Sequence, residues 1–386
     1  MIEQRDVVVV GAGPVGLTLA LGLARSGVDV LVLEKNDGTA EHSRAPAVWP
    51  RSQEIFAGLA VLEQLFDEGI LLPRLQLWDV DRERVLLDLP IEELRDETEH
   101  AQLLVVPQST TERVLHHAIR DTTEAEVRFS CEVTGLTQDS AGAAVRYRGD
   151  GSAQEVRASF VAGCDGAGSR VREVIGGSLE GITYRVEAAL ADIEIESGEE
   201  LRFPRLTTEP HLAIGIRLRS RLWRLILPFS GGSGEPSLEQ RIDGAARRLF
   251  HEGRYDTIWK SEFRLHRRMS TRWTEGRIVL AGDAAHLNSP VGGEGMNAGI
   301  IDAALLRDAI VAALVRDDRE PFAAYATRRR ASIEEGVNPL TDRMTRLLLA
   351  RNGRLIRPMF RLAHLMLKIA PLRRRLLRRL ALLDGD

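Results

Sequence analysis

The residues best placed to do chemistry open the chain. Gly11-Ala-Gly13-Pro14-Val15-Gly16 follows the β-branched run Asp6-Val-Val-Val-Val10 and leads into the apolar stretch Leu17 to Arg25. A second apolar run, Val28 to Leu33, ends on Glu34. Strand, glycine turn, helix, strand and carboxylate in that order describe a βαβ unit built for a dinucleotide. Gly11 serves the tight turn, Gly13 lets backbone approach a pyrophosphate, and Gly16 lets the helix pack closely on the strand. Pro14 suits the first helical turn, where its missing N–H is not needed. The helix N-terminus then offers free N–H groups and a positive dipole to phosphates, and Glu34 can bond ribose hydroxyls. A glycine turn in a nucleotide-free sheet would carry the same glycines, but not the whole ordered set.

Three later segments bear on which dinucleotide is held. Leu103 to Arg113 reads as a strand entering a helix, with Ser109 or Thr110 as N-cap. Phe160-Val-Ala-Gly-Cys-Asp165-Gly166 is a buried strand running into an acidic glycine turn. Gly276-Arg-Ile-Val-Leu-Ala-Gly282-Asp283-Ala-Ala-His286 is another, and it continues through Pro290-Val-Gly-Gly-Glu-Gly-Met-Asn297 into a helix over Ala298 to Leu314. A carboxylate at a strand's C-terminal end can bond a ribityl hydroxyl, although Asp165 or Asp283 taken singly could equally cap a helix. A glycine loop at such a place lets backbone N–H groups touch a flat ring.

These motifs together resemble the class A flavoprotein aromatic monooxygenases of the p-hydroxybenzoate hydroxylase type. The resemblance rests on the first glycine turn with Glu34, Arg44-Ala45, Pro107-Gln108 with Thr111-Glu112, and Asp165-Gly166 with Ser169 and Arg172. Gly282-Asp283-Ala-Ala-His286, the Pro290 to Asn297 loop and Gly299-Ile-Ile-Asp302-Ala303 complete it, over about residues 5 to 335. It implies an α/β fold: a Rossmann-like, glutathione-reductase-type FAD-binding domain with an inserted, mostly antiparallel substrate sheet and C-terminal helices.

The implied cofactor is FAD. Gly11, Gly13, Pro14, Val15 and Gly16 would meet its pyrophosphate, and Glu34 with Lys35 its adenosine ribose. Arg44, Ala45 and Gln108 would hold the phosphate and ribityl region, Val133 would lie near adenine, and Gly282 with Asp283 would bond the ribityl chain. Asp165 belongs to a motif serving both FAD and nicotinamide. Pro290, Gly293, Gly295, Met296 and Asn297 would run along the pyrimidine edge of the ring, where a helix N-terminus favours negative charge. The sequence departs from the family at Glu294, where glutamine is common. Such a carboxylate could tune the flavin, act as a base, or face solvent or a salt bridge, and the last is the expectation.

The motifs fall in separated pieces, which divides the chain into an FAD-binding domain (1–70, 104–175 and 277–335), a substrate sheet (71–103 and 176–276) and C-terminal basic helices (336–386). Pocket candidates are Tyr184, His211, Arg217, Trp223 and Arg224, because they interrupt or flank strands of the insertion. His211 and Arg224 are also the catalytic candidates, His211 as the base that deprotonates a phenol. An arginine on an alternating strand ordinarily faces water, however, and a tryptophan packs. His286 belongs to the cofactor motif and is expected to be structural. Between Leu340 and Leu383, twelve Lys/Arg stand against one acidic residue, Asp342, with Leu347, Leu348, Leu355, Phe360, Leu365 and Leu376 at helical spacing. That segment is either a basic surface for anionic lipid or an acidic partner, or helices docked on the acidic body. Docking is the expectation.

Composition narrows the rest. The 386 residues are 44% hydrophobic and 28% charged, with net charge −4, which describes a folded chain with no global field for nucleic acid. The only lysines are Lys35, Lys260 and Lys368, and no Gly-Lys-Ser/Thr occurs, so a P-loop nucleotidase is excluded. Cys131 and Cys164 cannot build a disulfide scaffold, and the nine histidines show no metal-binding pattern. With no long apolar span and a polar start, a cytoplasmic location is expected.

The resemblance implies a monooxygenase that uses NADH or NADPH and O2, by way of a flavin C4a-hydroperoxide, on a phenolic, aromatic or polyketide-like small molecule. Epoxidation or Baeyer–Villiger insertion at the same flavin is the alternative outcome. A redox-neutral cyclase or FAD-binding paralogue is the alternative class. A halogenase is disfavoured, since no Trp-x-Trp pair occurs.

Overall fold

The computed structural model describes the chain except residues 1, 42–44, 197–200, 230–235, 252–253, 317, 349–352 and 385–386, and except the side chains of 340, 343–344, 347–348 and 353–355. The opening strand Glu3–Val10 pairs in parallel with Val30–Leu33 on one side and Ser152–Gly163 on the other. Parallel strands Ala125–Arg128 and Ile278–Leu280 extend the sheet outward. Val7, Val8 and Val9 are wholly buried, as β-branched residues covered on both faces of a parallel sheet should be. The first helix, Pro14–Ala24, and the long helix Glu294–Arg316 supply Leu17, Leu21, Ile300, Leu306 and Ile310 to the same core.

A second sheet of eight strands stands over this body. Its order is His286–Leu287, Tyr255–Ser270, Leu179–Ile195, Leu222–Phe229, Ala213–Arg217, Arg205–Thr207, Arg74–Asp79 and Arg84–Pro90. The pairings are antiparallel except that of Arg205–Thr207 with Arg74–Asp79. Both inserted stretches of sequence therefore contribute to one sheet. Side chains alternate across it. On one face Ala189, Ala191, Ile193, Trp223, Leu225 and Leu227 pack under helix Leu238–Phe250, whose N-terminus is closed by a Ser237/Gln240 capping box. On the other face Ile216 and Leu222 pack with Trp49, Leu103 and Val105 of the nucleotide-binding body. That second face is the one turned toward the glycine loops.

The C-terminal helices Gly353–Met366 and Ala370–Leu380 dock on the body. Leu377 and Leu380 are buried with Leu89, Ile91 and Leu94. Arg357 reaches Asp79 at 3.1 Å, Glu209 at 3.2 Å and also Asp81. Arg373 pairs with Glu93, and Arg374 and Arg378 with Glu97. Docking through ion pairs is thus what Arg357, Arg373, Arg374 and Arg378 do. Leu365, assigned by spacing to the apolar face, is 59% exposed, while the side chains of Leu347, Leu348 and Leu355 lie outside the described ones. Among the described residues no helix is long and apolar enough to cross a membrane.

Candidate flavin and substrate site

The first glycine turn is assembled as its spacing predicts. Gly11 adopts φ +103°, and a Cβ there would lie 2.5 Å from the Cys164 carbonyl oxygen. A Cβ on Gly16 would lie 2.0 Å from the Gly11 carbonyl oxygen, so helix and strand meet with no space between them. Gly13 is different. Its φ is −73° and a Cβ would meet nothing within 4 Å. Neither conformation nor packing within the chain calls for glycine there, whereas a group approaching the backbone from outside does. Gly13 is also the N-cap of the first helix and brings no side-chain cap to its N–H groups, which fits a phosphate at that point.

Glu34 accepts from the Ala12 N–H at 2.8 Å and from Asn36 N and Nδ2 at 3.0 and 2.7 Å. It thereby ties the turn to the end of the second strand. Cys131 N donates to the Glu34 carbonyl, which brings Val133, buried on the next strand, to the same end. Lys35 is exposed. Gln108, at the start of helix Gln108–Arg120, donates to Glu112 at 2.8 Å, and Glu112 accepts from Ala40 N. Burial raises the Glu112 carboxyl above its ordinary range. Ala45 packs against the main core, and Arg44 lies outside the described residues.

Asp165 is engaged in capping. Its Oδ1 accepts from Ser169 Oγ at 2.5 Å, and its Oδ2 accepts from Arg170 N and Val171 N at 2.7 and 3.1 Å. These bonds close the start of helix Arg170–Val174, the capping role that the sequence also allowed it. Gly282 interlocks with the first turn, since a Cβ on it would lie 2.9 Å from Val15 Cγ2. Asp283, beside it, is exposed. Behind them Asp302 holds a buried network: it accepts from Gly282 N at 2.9 Å, pairs with His286 Nε2 at 2.6 Å and with Arg329 Nε at 2.6 Å. Burial pushes the Asp302 carboxyl upward, but His286 and Arg329 outweigh it and hold it well below the usual range. His286 is structural, as expected. Arg329 was missed because its helix carries no motif.

The ring loop is bound from both sides. Asn297 donates to the Ala47 and Gly293 carbonyls at 2.8 and 2.7 Å and accepts from Trp49 N at 2.8 Å. Its amide is therefore used in fixing the loop, and Met296 is buried in the core. Trp49 Nε1 donates to the Gly292 carbonyl at 3.0 Å, and Gly293 N to that of exposed Pro290. Ser289 Oγ pairs with Thr345 of helix Asn338–Leu348. A Cβ on Gly295 would meet nothing within 4 Å, a second glycine that packing within the chain leaves unexplained. Glu294 corrects its expectation outright. It is wholly buried, and among the described residues neither carboxylate oxygen has a hydrogen-bond partner.

The substrate-sheet candidates divide by strand parity. Trp223 faces away from the loops, against Phe203 and Phe250 beneath helix Leu238–Phe250. Arg217, directly opposite it, stacks over Phe203. His211 is exposed, in a hollow on that same far side with Gln240 and Arg241. None of the three is on the sheet face turned toward the glycine loops, so His211 has no access to a reacting group there.

Tyr184 donates its hydroxyl at 2.6 Å to Asp342, on the helix whose Thr345 meets Ser289. Burial and that carboxylate push the Tyr184 pKa up to about 12. Arg224 lies on the inward face. Its guanidinium makes a two-pronged pair with Asp192, both bonds 2.7 Å, and lies 5.7 Å from the Trp259 ring. Cross-strand register sets Ile216, Arg224, Asp192 and Trp259 in one row, and Ile214, Ile226 and Leu190 in the next. Asp192 escaped the sequence reading, although a carboxylate in an apolar strand opposite an arginine was a usable signal.

Over residues 4–338 the chain matches the family described as the FAD binding domain. It is 28% identical over 344 residues to a para-nitrophenol 4-monooxygenase of Pseudomonas sp. (strain WBC-3), covering 86% of this chain and 84% of that one. It is 34% identical over 308 residues to a rifampicin monooxygenase of Streptomyces venezuelae, covering 77% of this chain and 62% of that longer protein. The crystal structure of p-nitrophenol 4-monooxygenase from Pseudomonas putida DLL-E4 matches with TM-score 0.88 at 26% identity, covering 98% and 99% of the two chains. The chain belongs to the FAD binding domain family, as a class A FAD-dependent monooxygenase of the p-hydroxybenzoate hydroxylase-like type. FAD is its cofactor, and the glycine cradle fits it.

Proposed function

We propose that this enzyme hydroxylates a phenolic or polyketide-like aromatic small molecule, with NADH or NADPH as electron donor and O2 as oxygen source, in the cytoplasm. The observation that carries the reading is the inward sheet face, with Leu190, Ile214, Ile216 and Ile226 around one buried arginine. The aliphatic side chains suit a flat ring. Arg224 is 1% exposed and its Nη1 has no hydrogen-bond partner among the described residues, so it suits an acidic hydroxyl or another anionic substituent on that ring. Asp192 holds the guanidinium in place. The names of the relatives, a nitrophenol and a rifampicin monooxygenase, support the same substrate class.

When bound, FAD takes hydride from the nicotinamide and activates O2. The chain's part is to hold and exclude. Gly13 and the first helix hold the pyrophosphate, Glu34 the ribose, and Asp283 the ribityl chain. The apolar sheet face keeps water from the ring.

The test is anaerobic: purified holoenzyme is mixed with NADH or NADPH, with and without a panel of phenols, and the flavin absorbance is followed. Bleaching accelerated by one phenol, then incorporation of labelled oxygen into it on aeration, is expected. Failure of every combination to bleach bound FAD would overturn the reading in favour of redox-neutral chemistry. An epoxide or lactone product would keep the flavin chemistry and replace hydroxylation.

A further inference from the structure

Among the described residues the buried acid of the ring loop makes no hydrogen bond or ion pair through its carboxylate. Glu294 is the first residue of helix Glu294–Arg316 and is 0% exposed. Its carboxyl folds back over Gly292, with Oε1 3.7 Å from the position a Cβ would take there. Neither oxygen accepts a hydrogen bond from a described residue.

Several described charged groups on neighbouring elements are committed to other partners, and on the adjoining turn Ile333–Val337 Glu334 lies 3.9 Å from Arg330 while Glu335 is exposed. On its own helix Asp302 holds His286 and Arg329. Across the loop, Arg51 pairs with Glu54. On helix Asn338–Leu348, Asp342 takes Tyr184, Arg267 and Arg346. Among the described residues an ionised Glu294 would thus be a buried charge with neither counter-ion nor donor, which is costly enough to favour the neutral acid. Burial alone pushes its pKa up to about 8. A neutral carboxyl in this loop has one proton to offer, and the loop belongs to the cofactor site.

We propose that Glu294 is a redox-linked proton site for the bound flavin: it is the neutral acid beside the oxidised ring at neutral pH, and it holds that proton more tightly once reduction places negative charge nearby. This rests on FAD binding and is independent of which substrate is oxygenated. In the balanced step a reductant supplies two electrons, and the ring takes them with one proton, retaining one negative charge. Where Glu294 was ionised before reduction, its carboxylate takes a second proton from solvent. No other bond changes. At pH below about 8 the acid is protonated in both states and the second proton is not drawn. Above it, the second proton is drawn until the pH passes the higher value of the reduced state.

The test is a spectroelectrochemical titration of the FAD-loaded wild type and Glu294→Gln on both sides of pH 8. Above that pH, each unit should shift the oxidised-to-reduced equilibrium of the wild type by about tenfold more than that of the variant. Parallel behaviour at all pH values would overturn the proposal. Should the variant fail to retain FAD, the wild type decides alone through its redox-difference infrared spectrum. A carboxylate band at high pH should convert on reduction to a protonated-carboxyl stretch that shifts in heavy water, and no such conversion overturns the proposal. A wild type with no yellow chromophore would instead overturn the cofactor assignment, and this inference with it.

Discussion

At the residue scale, the three glycines of the first turn are glycine for different reasons, and substitution separates them. Gly16→Ala forces a methyl group to 2.0 Å from the Gly11 carbonyl oxygen. It should cost about 1–3 kcal/mol of stability in denaturant titration, as overpacking does. Gly13→Ala adds its methyl to open space at an ordinary φ. Its stability should stay within about 0.5 kcal/mol of the wild type, while FAD affinity falls by about tenfold or more, equivalent to about 1.4 kcal/mol. A Gly13→Ala protein with full FAD affinity would remove the ligand-based reason for that glycine. The same contrast between packing and chemistry separates Trp223, a core residue, from Arg224 in the adjacent position.

At the element scale, the C-terminal helices are attached by pairs of unequal weight. Arg357 is 8% exposed at its side chain and faces Asp79 and Asp81, which are 0% and 2% exposed. Arg357→Ala leaves buried Asp79 without its cation, while Asp81 keeps Arg248, and should cost about 3–5 kcal/mol. Arg374→Ala removes a surface pair with Asp96 and Glu97 and should leave the melting temperature nearly unchanged. Thermal unfolding of the two variants side by side checks this, and equal effects would contradict the burial argument. Pattern alone could not rank these arginines, since all sit in one basic run and differ only in what the fold sets opposite them.

At the scale of the whole molecule, two buried or paired acids give stability opposite pH dependences. Glu3 is held down to about 2, chiefly by its bond to Arg128 against some burial, with Arg5 helping. Its contribution is present above its ordinary value of 4.5 and is lost as pH falls toward about 2. Glu294 is shifted the other way. The unfolded chain releases this proton near 4.5 and the native chain near 8, so native stability declines as pH rises between those values. Protein freed of FAD should therefore show Glu294→Gln equal to wild type at pH 4.5 and more stable at pH 8, by about 2–4 kcal/mol. Denaturant titrations at the two pH values decide it, and an unchanged gap would show that Glu294 ionises freely.

The α/β class, the cofactor and the glycine cradle were legible in the sequence because they depend on local rules: β-branched runs, a turn needing φ +103° at Gly11, and a helix start beside it. Those requirements act over a few residues and leave marks at fixed spacing. Tertiary structure alone decided which side chains face the cleft. A period of two tells that Trp223 and Arg224 point oppositely, but not which of them points inward. That is set where Ile216 meets Trp49, 167 positions apart in the chain. Whether Glu294 meets solvent, a cation or neither was likewise decided by the elements packed over it. Burial is a sum over long-range contacts, and no short stretch of sequence contains it.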